Sequence, residues 1–195
     1  MIQMTPVVAV EKQKLAKPPL EIHTLGDRVL RQPAKRLAKV DESVRQLVRQ
    51  MLQTMYSSDG IGLAAPQIAI NKQLLVIDCE PKNAAAPPLV LVNPQITSYS
   101  QELCRVEEGC LSVPGVYLDV IRPKAIEVSF KNEYGRPQKL KVDGLLARVI
   151  QHEMDHLNGV LFVDRVENPL ALAEQLKKQG FALQSVRTVT DSHVA

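Results

Sequence analysis

The sequence is short of three things. It has only three cysteines, Cys79, Cys104 and Cys110, in 195 residues. That number is odd and sparse, which argues against a disulfide framework and for a reducing compartment. It has no surplus of charge, with 24 Lys and Arg against 21 Asp and Glu, a net of +3. Attachment to nucleic acid by bulk charge is excluded on that balance, because such proteins cluster their basic residues. It also lacks a long apolar run, the longest being a few residues where ~20 are needed to span a bilayer. Met1–Val10 carries no basic residue before its short apolar stretch Pro6–Val10. No secretory signal is therefore read there, and the expected location is cytoplasmic, of bacterial type.

What is present is ordinary for a globular protein: 45% apolar and 23% charged residues. The length suits one domain, which buries roughly 70% of its unfolded surface. Residues 1–19 are expected to form a disordered lead-in, with Lys12, Lys14 and Lys17 solvated. Residues 20–180 are the folded domain, and 181–195 a flexible tail.

Three helices are expected. Val44, Leu47, Val48, Met51, Leu52 and Met55 recur with helical period behind Asp41, a good N-cap. Gly144–Asn158 is the second, capped by Asp143, with Gly159 placed for a left-handed C-cap. The third starts at Pro169 behind Asn168 and ends at Gly180. Strands are read at Leu74–Asp78, Leu89–Val92, Tyr117–Ile121, Ala125–Lys131 and Gln138–Val142. Asn93-Pro94 is taken to stop the second of these. The two glycines of Gly60-Ile-Gly62 point to unusual dihedrals or to a close approach. Strands and helices without regular βαβ alternation make the fold class α+β.

The chemistry concentrates in His152-Glu153-Met154-Asp155-His156. In H-E-x-x-H both imidazoles lie on one helix face and can reach one ion, while Glu153 leans over the same site. Two of the four histidines in the chain fall here. A catalytic metal needs a third ligand and an open position. Downstream the candidates are thin: Asp164 is close, and Glu167 and Glu174 are isolated. Upstream, Cys110 is a good ligand as thiolate, although a lone cysteine is more often a small buried hydrophobe.

Three stretches, Gly60–Gln67 (GIGLAAPQ), Glu108–Pro114 (EGCLSVP) and Gln151–His156 (QHEMDH), occur in the order found in peptide deformylases. The chain resembles that family from about Leu25 to Val166. The resemblance implies antiparallel β-sheets packed around a central, metal-binding H-E-x-x-H helix, with an N-terminal and a C-terminal helix. It makes 20–180 a single catalytic metallohydrolase domain. It implies hydrolysis of the N-formyl group of N-formylmethionine on nascent polypeptides, with release of formate. Cys110, His152 and His156 would hold one divalent metal, Fe(II) in the cell and Zn(II) or Ni(II) in preparations. Glu153 would move the proton, and the Gln67 amide and the Leu111 N–H would stabilise the oxyanion. Ile61 and Gly62 would bind the peptide backbone as an added strand.

Helix spacing places Leu145, Arg148 and Val149 on the ligand face. Leu145 and Val149, with Val106, Glu108 and Gly109, are the expected walls of the methionine pocket, with plain core packing an equal reading for the two helix residues. Arg148 either shields the mouth or pairs with an acid. Asp155 and Arg122 are expected to pair, and Cys79 and Cys104 to be core. Lys177 and Lys178 are a candidate for transient ribosome contact, with no DNA or membrane partner. The competing readings are an H-E-x-x-H zinc endopeptidase, which needs a downstream third ligand, and a closed structural metal site, which leaves Glu153 idle.

Overall fold

The computed structural model describes residues 10–189. The first helix, α1 (Glu42–Ser57), opens where Asp41 accepts a hydrogen bond from the Val44 N–H. A second helix, α2 (Gly144–Leu157), is closed by Gly159 at φ 72°. The third, α3 (Pro169–Lys178), is capped by the Asn168 side chain on Ala171. All three expected helices are therefore present.

Strands β1 (Gly62–Ala64), β2 (Leu74–Ile77), β3 (Leu89–Tyr99), β6 (Ala125–Lys131) and β7 (Pro137–Asp143) form one five-stranded sheet, ordered β1-β2-β3-β6-β7. Every pairing in it is antiparallel. A separate hairpin pairs β4 (Leu103–Cys110) with β5 (Val113–Pro123). The period of two in β2 explains its unbroken apolar run. Leu74 and Val76 pack with Val48, Met51, Leu52 and Met55 of α1. Leu75 and Ile77 point the other way, to Val149 and Ile150 of α2 with Ile126 and Val128 of β6. Both faces of this strand are covered by helix, so alternation disappears. A third apolar cluster joins β5 to Leu161–Val163 and α3. The helix α2 thus has the sheet on one side and the hairpin on the other, and its His-bearing face looks into the seam.

Several expectations change. β3 does not stop at Asn93-Pro94 but runs to Tyr99 with a register shift between Val92 and Gln95. Asn93 takes φ 51°, and its side-chain amide both donates to the Leu37 carbonyl and accepts from the Leu37 N–H, each at 2.8 Å. A side-chain bond to a segment 56 residues away supports the left-handed residue, and the bulge carries the strand past proline. β4 was not foreseen.

Of the lead-in, residues 1–9 lie outside the described residues. Residues 10–19 run along α1, largely exposed, and Lys12 is half-buried and paired rather than solvated. Its ammonium meets Asp78 at 2.6 Å and the carbonyls of Asn83 and Ala86 at 2.8 and 2.7 Å. Of the tail, 190–195 lie outside the described residues. Phe181 and Val186 pack on the third cluster, and the Arg187 and Val189 N–H groups bond Asp164. Residues 181–189 are therefore tied down rather than free.

Candidate metal centre

The sulfur of Cys110 and one nitrogen each of His152 and His156 lie within 4.8 Å of one another. Cys110 ends β4, where the register with β5 shifts after Gly109. Both histidines project from α2 one turn apart. Cys110 Sγ is 3.3 Å from His156 Nε2 and accepts from the Ser112 N–H at 3.4 Å. His152 uses Nδ1 to meet Glu108 Oε2 at 2.9 Å. That leaves its Nε2 for the shared point, the arrangement in which a carboxylate fixes a ligand imidazole.

The donor set fits a divalent cation. Burial disfavours charge on either imidazole, yet Cys110 and Glu108 outweigh it at His152 and raise its pKa well above the ordinary value. His156 is pushed well below, by burial first and then by His152. A positive charge is thus favoured at His152 beside Cys110 and Glu108, the charge a bound cation supplies instead. One thiolate with two imidazoles suits Zn, Ni, Co or Fe(II).

Beneath His152 the charges form a closed network. Glu108 is held by Arg122 at 2.6 and 2.9 Å and by Arg148 at 2.6 Å. Arg122 continues to Asp155 at 2.8 Å, and Arg165 grips the same carboxylate with two bonds of 2.7 Å. Burial pushes the Glu108 pKa up, but hydrogen bonds from His152 and Arg122 win and hold it well below the usual carboxylate range. The expected Asp155–Arg122 pair is present and buried. Arg148 pairs with an acid instead of guarding the mouth, and also donates to the Val120 and Cys104 carbonyls at 3.1 and 2.7 Å. Its approach to Cys104 Sγ, 3.2 Å, makes that cysteine part of this polar layer and not of the apolar core. Cys79 does pack beside the apolar cluster of β2, and burial raises its thiol pKa.

Glu153 differs. It is 4% exposed, and Oε2 has no hydrogen-bond partner among the described residues. Burial is the main reason its pKa is raised, to about 7. Gly62 faces it so closely that a Cβ there would run into the carboxylate and come within 2.9 Å of Val149 Cγ1. Close approach explains this glycine, and likewise Gly60, where a Cβ would sit 2.7 Å from Leu111. Neither has positive φ; the left-handed residues nearby are Asp59 and Ala69.

Gln67 is 1% exposed, in the short turn Ala65–Ile68. Its Oε1 accepts from the Ala64 N–H at 2.8 Å, so the amide nitrogen must face Cys110 Sγ and Ser112 Oγ, at 3.6 and 3.0 Å. The cleft over these groups has a volume of about 700 Å³. Ile61, Gly62, Glu108, Gly109, Leu111 and Val149 line it as expected, and Leu145 stands at its mouth, 54% exposed. Val106 does not line it. This residue lies on the open part of the hairpin, 47% exposed. Ile22 and Tyr117 line the cleft without having been foreseen. Ser112, fully buried behind the cysteine, was also missed, although it lies inside a stretch already singled out.

Among the described residues none of the downstream acids joins the cluster. Asp164 is buried against Arg31 and the Leu161 N–H, Glu167 pairs with Arg105, and Glu174 is exposed on α3. The third ligand is upstream, at Cys110.

The sequence profile of polypeptide deformylases matches residues 19–171. The chain belongs to the polypeptide deformylase family. It is thereby a metal-dependent hydrolase, in a family that binds one divalent metal. A peptide deformylase of Synechocystis sp. is 69% identical over 186 residues, covering 95% of this chain and all of that one. Another, peptide deformylase 1 of Nostoc sp., is 67% identical, covering 93% of this chain and 97% of its own. A crystal structure of the Synechococcus elongatus peptide deformylase in complex with actinonin superposes with a TM-score of 0.92 at 67% identity, over 93% of this chain and 100% of that one. No helix among the described residues is long and apolar enough to cross a membrane.

Proposed function

We propose that this deformylase removes the formyl group from N-formylmethionine at the start of new polypeptides, leaving formate and a free amino terminus. The observation that carries the reading is the buried, unpartnered Glu153 carboxylate beside the Cys110, His152 and His156 donors. Cys110, His152 and His156 hold the metal. A divalent cation there polarises a carbonyl and makes water nucleophilic near neutral pH. Glu153 takes the proton of the attacking water and returns it to the departing amine, help worth roughly 10²–10⁴-fold. The Gln67 Nε2–H and the Leu111 N–H donate to the oxygen on which negative charge develops. Losing one such donor lowers turnover by roughly 10²–10³.

The substrate backbone lies as an added strand along Ile61 and Gly62. β1 is the edge of the sheet, and an edge has unpaired N–H and C=O groups to offer. Val149, Leu145 and Gly109 enclose the methionine side chain. Glu108 faces the same cleft, but its oxygens are spent on arginines and His152, so it positions rather than binds. The metal is Fe(II) in the cell, with Zn(II) or Ni(II) taken up during preparation. The reaction is cytoplasmic. Lys177 and Lys178, exposed at the end of α3, make a transient ribosome contact. The test is formate release from formyl-Met-Ala-Ser by Fe(II)-loaded protein prepared without oxygen. Loss of release in Glu153→Ala and Cys110→Ala is the expected result. A loaded parent that releases no formate refutes the reading.

A further inference from the structure

The three functional loops of the site are joined by a frame of hydrogen bonds that the proposed chemistry does not use. Gln67 sits on the turn after β1, Cys110 at the end of β4, and the residues near His23 belong to neither. Yet the His23 N–H bonds the Gln67 carbonyl and the Leu25 N–H bonds the Ser112 carbonyl, each at 2.8 Å. Between them the Gln67 amide donates to Ser112 Oγ at 3.0 Å. The Ser112 N–H in turn donates to Cys110 Sγ at 3.4 Å. Ser112 has no exposed surface, so water does not compete for its hydroxyl. In this frame its hydroxyl is the closer of two acceptors for the Gln67 amide on the loop of Cys110 and Leu111, at 3.0 Å against 3.6 Å for Cys110 Sγ.

The Ala64 N–H can only donate, so it fixes which end of the Gln67 amide faces the metal. It does not fix rotation about the bond that holds the amide. Ser112 supplies the second point. We propose that Ser112 is a positioning residue: its hydroxyl, held in place by the bracket His23–Leu25, sets the angle at which the Gln67 amide addresses the reacting carbonyl. The Gln67 amide nitrogen donates to Ser112 Oγ at 3.0 Å and lies 3.6 Å from Cys110 Sγ, so the Ser112 bond fixes its angle beside the metal donors. Such a role follows from the sensitivity of preorganised donors to small displacements. The proposal rests on the deformylase reading, and it names a residue outside the ligand and donor set.

A double-mutant cycle tests it, on metal-loaded protein with formyl-Met-Ala-Ser. Ser112→Ala should lower kcat about tenfold and leave KM within about twofold, because a displaced oxyanion donor affects the transition state more than the bound substrate. In a Gln67→Ala background the same substitution should change kcat less than about twofold, since it then has no amide to orient. The thiolate-to-metal charge-transfer band of the Co(II)-loaded protein should be unchanged, because the backbone N–H of residue 112 still reaches Cys110. An equal loss in both backgrounds overturns the proposal, and so does a shifted band, which would assign Ser112 to the ligand sulfur. If Ser112→Ala does not fold, Ser112→Cys keeps the volume while weakening the acceptor, and the same cycle applies. A parent that releases no formate refutes the deformylase reading itself. An active parent with an additive cycle refutes only the role of Ser112.

Discussion

Glu108 and Glu153 are both buried beside His152, one on the hairpin and one on α2, and they are treated in opposite ways. Around Glu108 lie two guanidinium groups and an imidazole, so burial is more than repaid and the carboxylate stays charged. Around Glu153 lie Gly62 and Val149, no donor reaches its Oε2, and burial outweighs the more distant charges of His152 and Arg122. Depth is the same in the two cases; the number of donors is not. A site that must keep one acid fixed and let another exchange a proton can do so by donor count alone.

The largest effect should come from removing the exchanging acid. Glu153→Gln keeps the shape and removes the base, so turnover should fall roughly 10²–10⁴-fold, with metal content by elemental analysis unchanged. Retained activity would mean the unpartnered oxygen has no part in the chemistry.

Next comes the fixed acid. Glu108→Gln leaves Arg122 and Arg148 facing a neutral amide in a buried place, which should destabilise the fold by about 3–5 kcal/mol. It also frees the His152 ring, so metal affinity should drop about 10–100-fold in a chelator competition. A variant as stable as the parent would show that the network does not need its central charge.

The sharpest form of the comparison is the pH dependence of stability in metal-free protein. Glu108 has a folded pKa below its unfolded one. Its contribution is present above the ordinary carboxylate pKa and is lost as pH falls toward the folded value. The deficit of Glu108→Gln in thermal midpoint should therefore shrink on acidification. Glu153 has a folded pKa of about 7, above its unfolded one, so its ionisation is penalised by folding. Glu153→Gln should match the parent at low pH and exceed it above pH 7, the gap opening as pH rises from the ordinary carboxylate range. Gaps of the same sign in both variants would dissolve the contrast.

The smallest effect should be at the surface. The pair of Arg45 with Glu42 on α1, 2.8 Å apart, is solvated and screened. Glu42→Gln should leave the thermal midpoint where it was, beside the large loss from Glu108→Gln. A comparable loss would make burial irrelevant to the difference.

What could be read from the sequence divides along similar lines. Caps and period are local, so Asp41, Asn168 and Gly159 mark the three helices in the chain itself. The metal donors on α2 are one turn apart and equally legible; Cys110 is an open candidate that the resemblance decides, and Gln67 rests on the resemblance alone, since nothing local links them to His152. β4 was illegible because the hairpin is open on much of its surface, and Leu103, Arg105 and Val106 all face outward without alternation. The continuation of β3 was hidden by Asn93-Pro94, where a side-chain bond to Leu37, 56 residues away in sequence, reverses the local rule. The partners of Arg148 and Lys12 were out of reach for the same reason. A charge in an apolar stretch announces that it has a mate, and only the fold says which.

Asp164 gathers an early and a late segment of the described chain: Arg31 and Leu161 reach its carboxylate, Arg187 reaches it from the late side, and the Val189 N–H finds its carbonyl. The contact from Arg31 spans 133 residues, a loop that can close only once residue 164 has been made. A ribosome that has just made His156 has made every metal donor, but not yet the clasp between the first turn and the last. For this chain the order of manufacture puts the chemistry before the fastening, so the molecule is finished from its margins after its centre is already written.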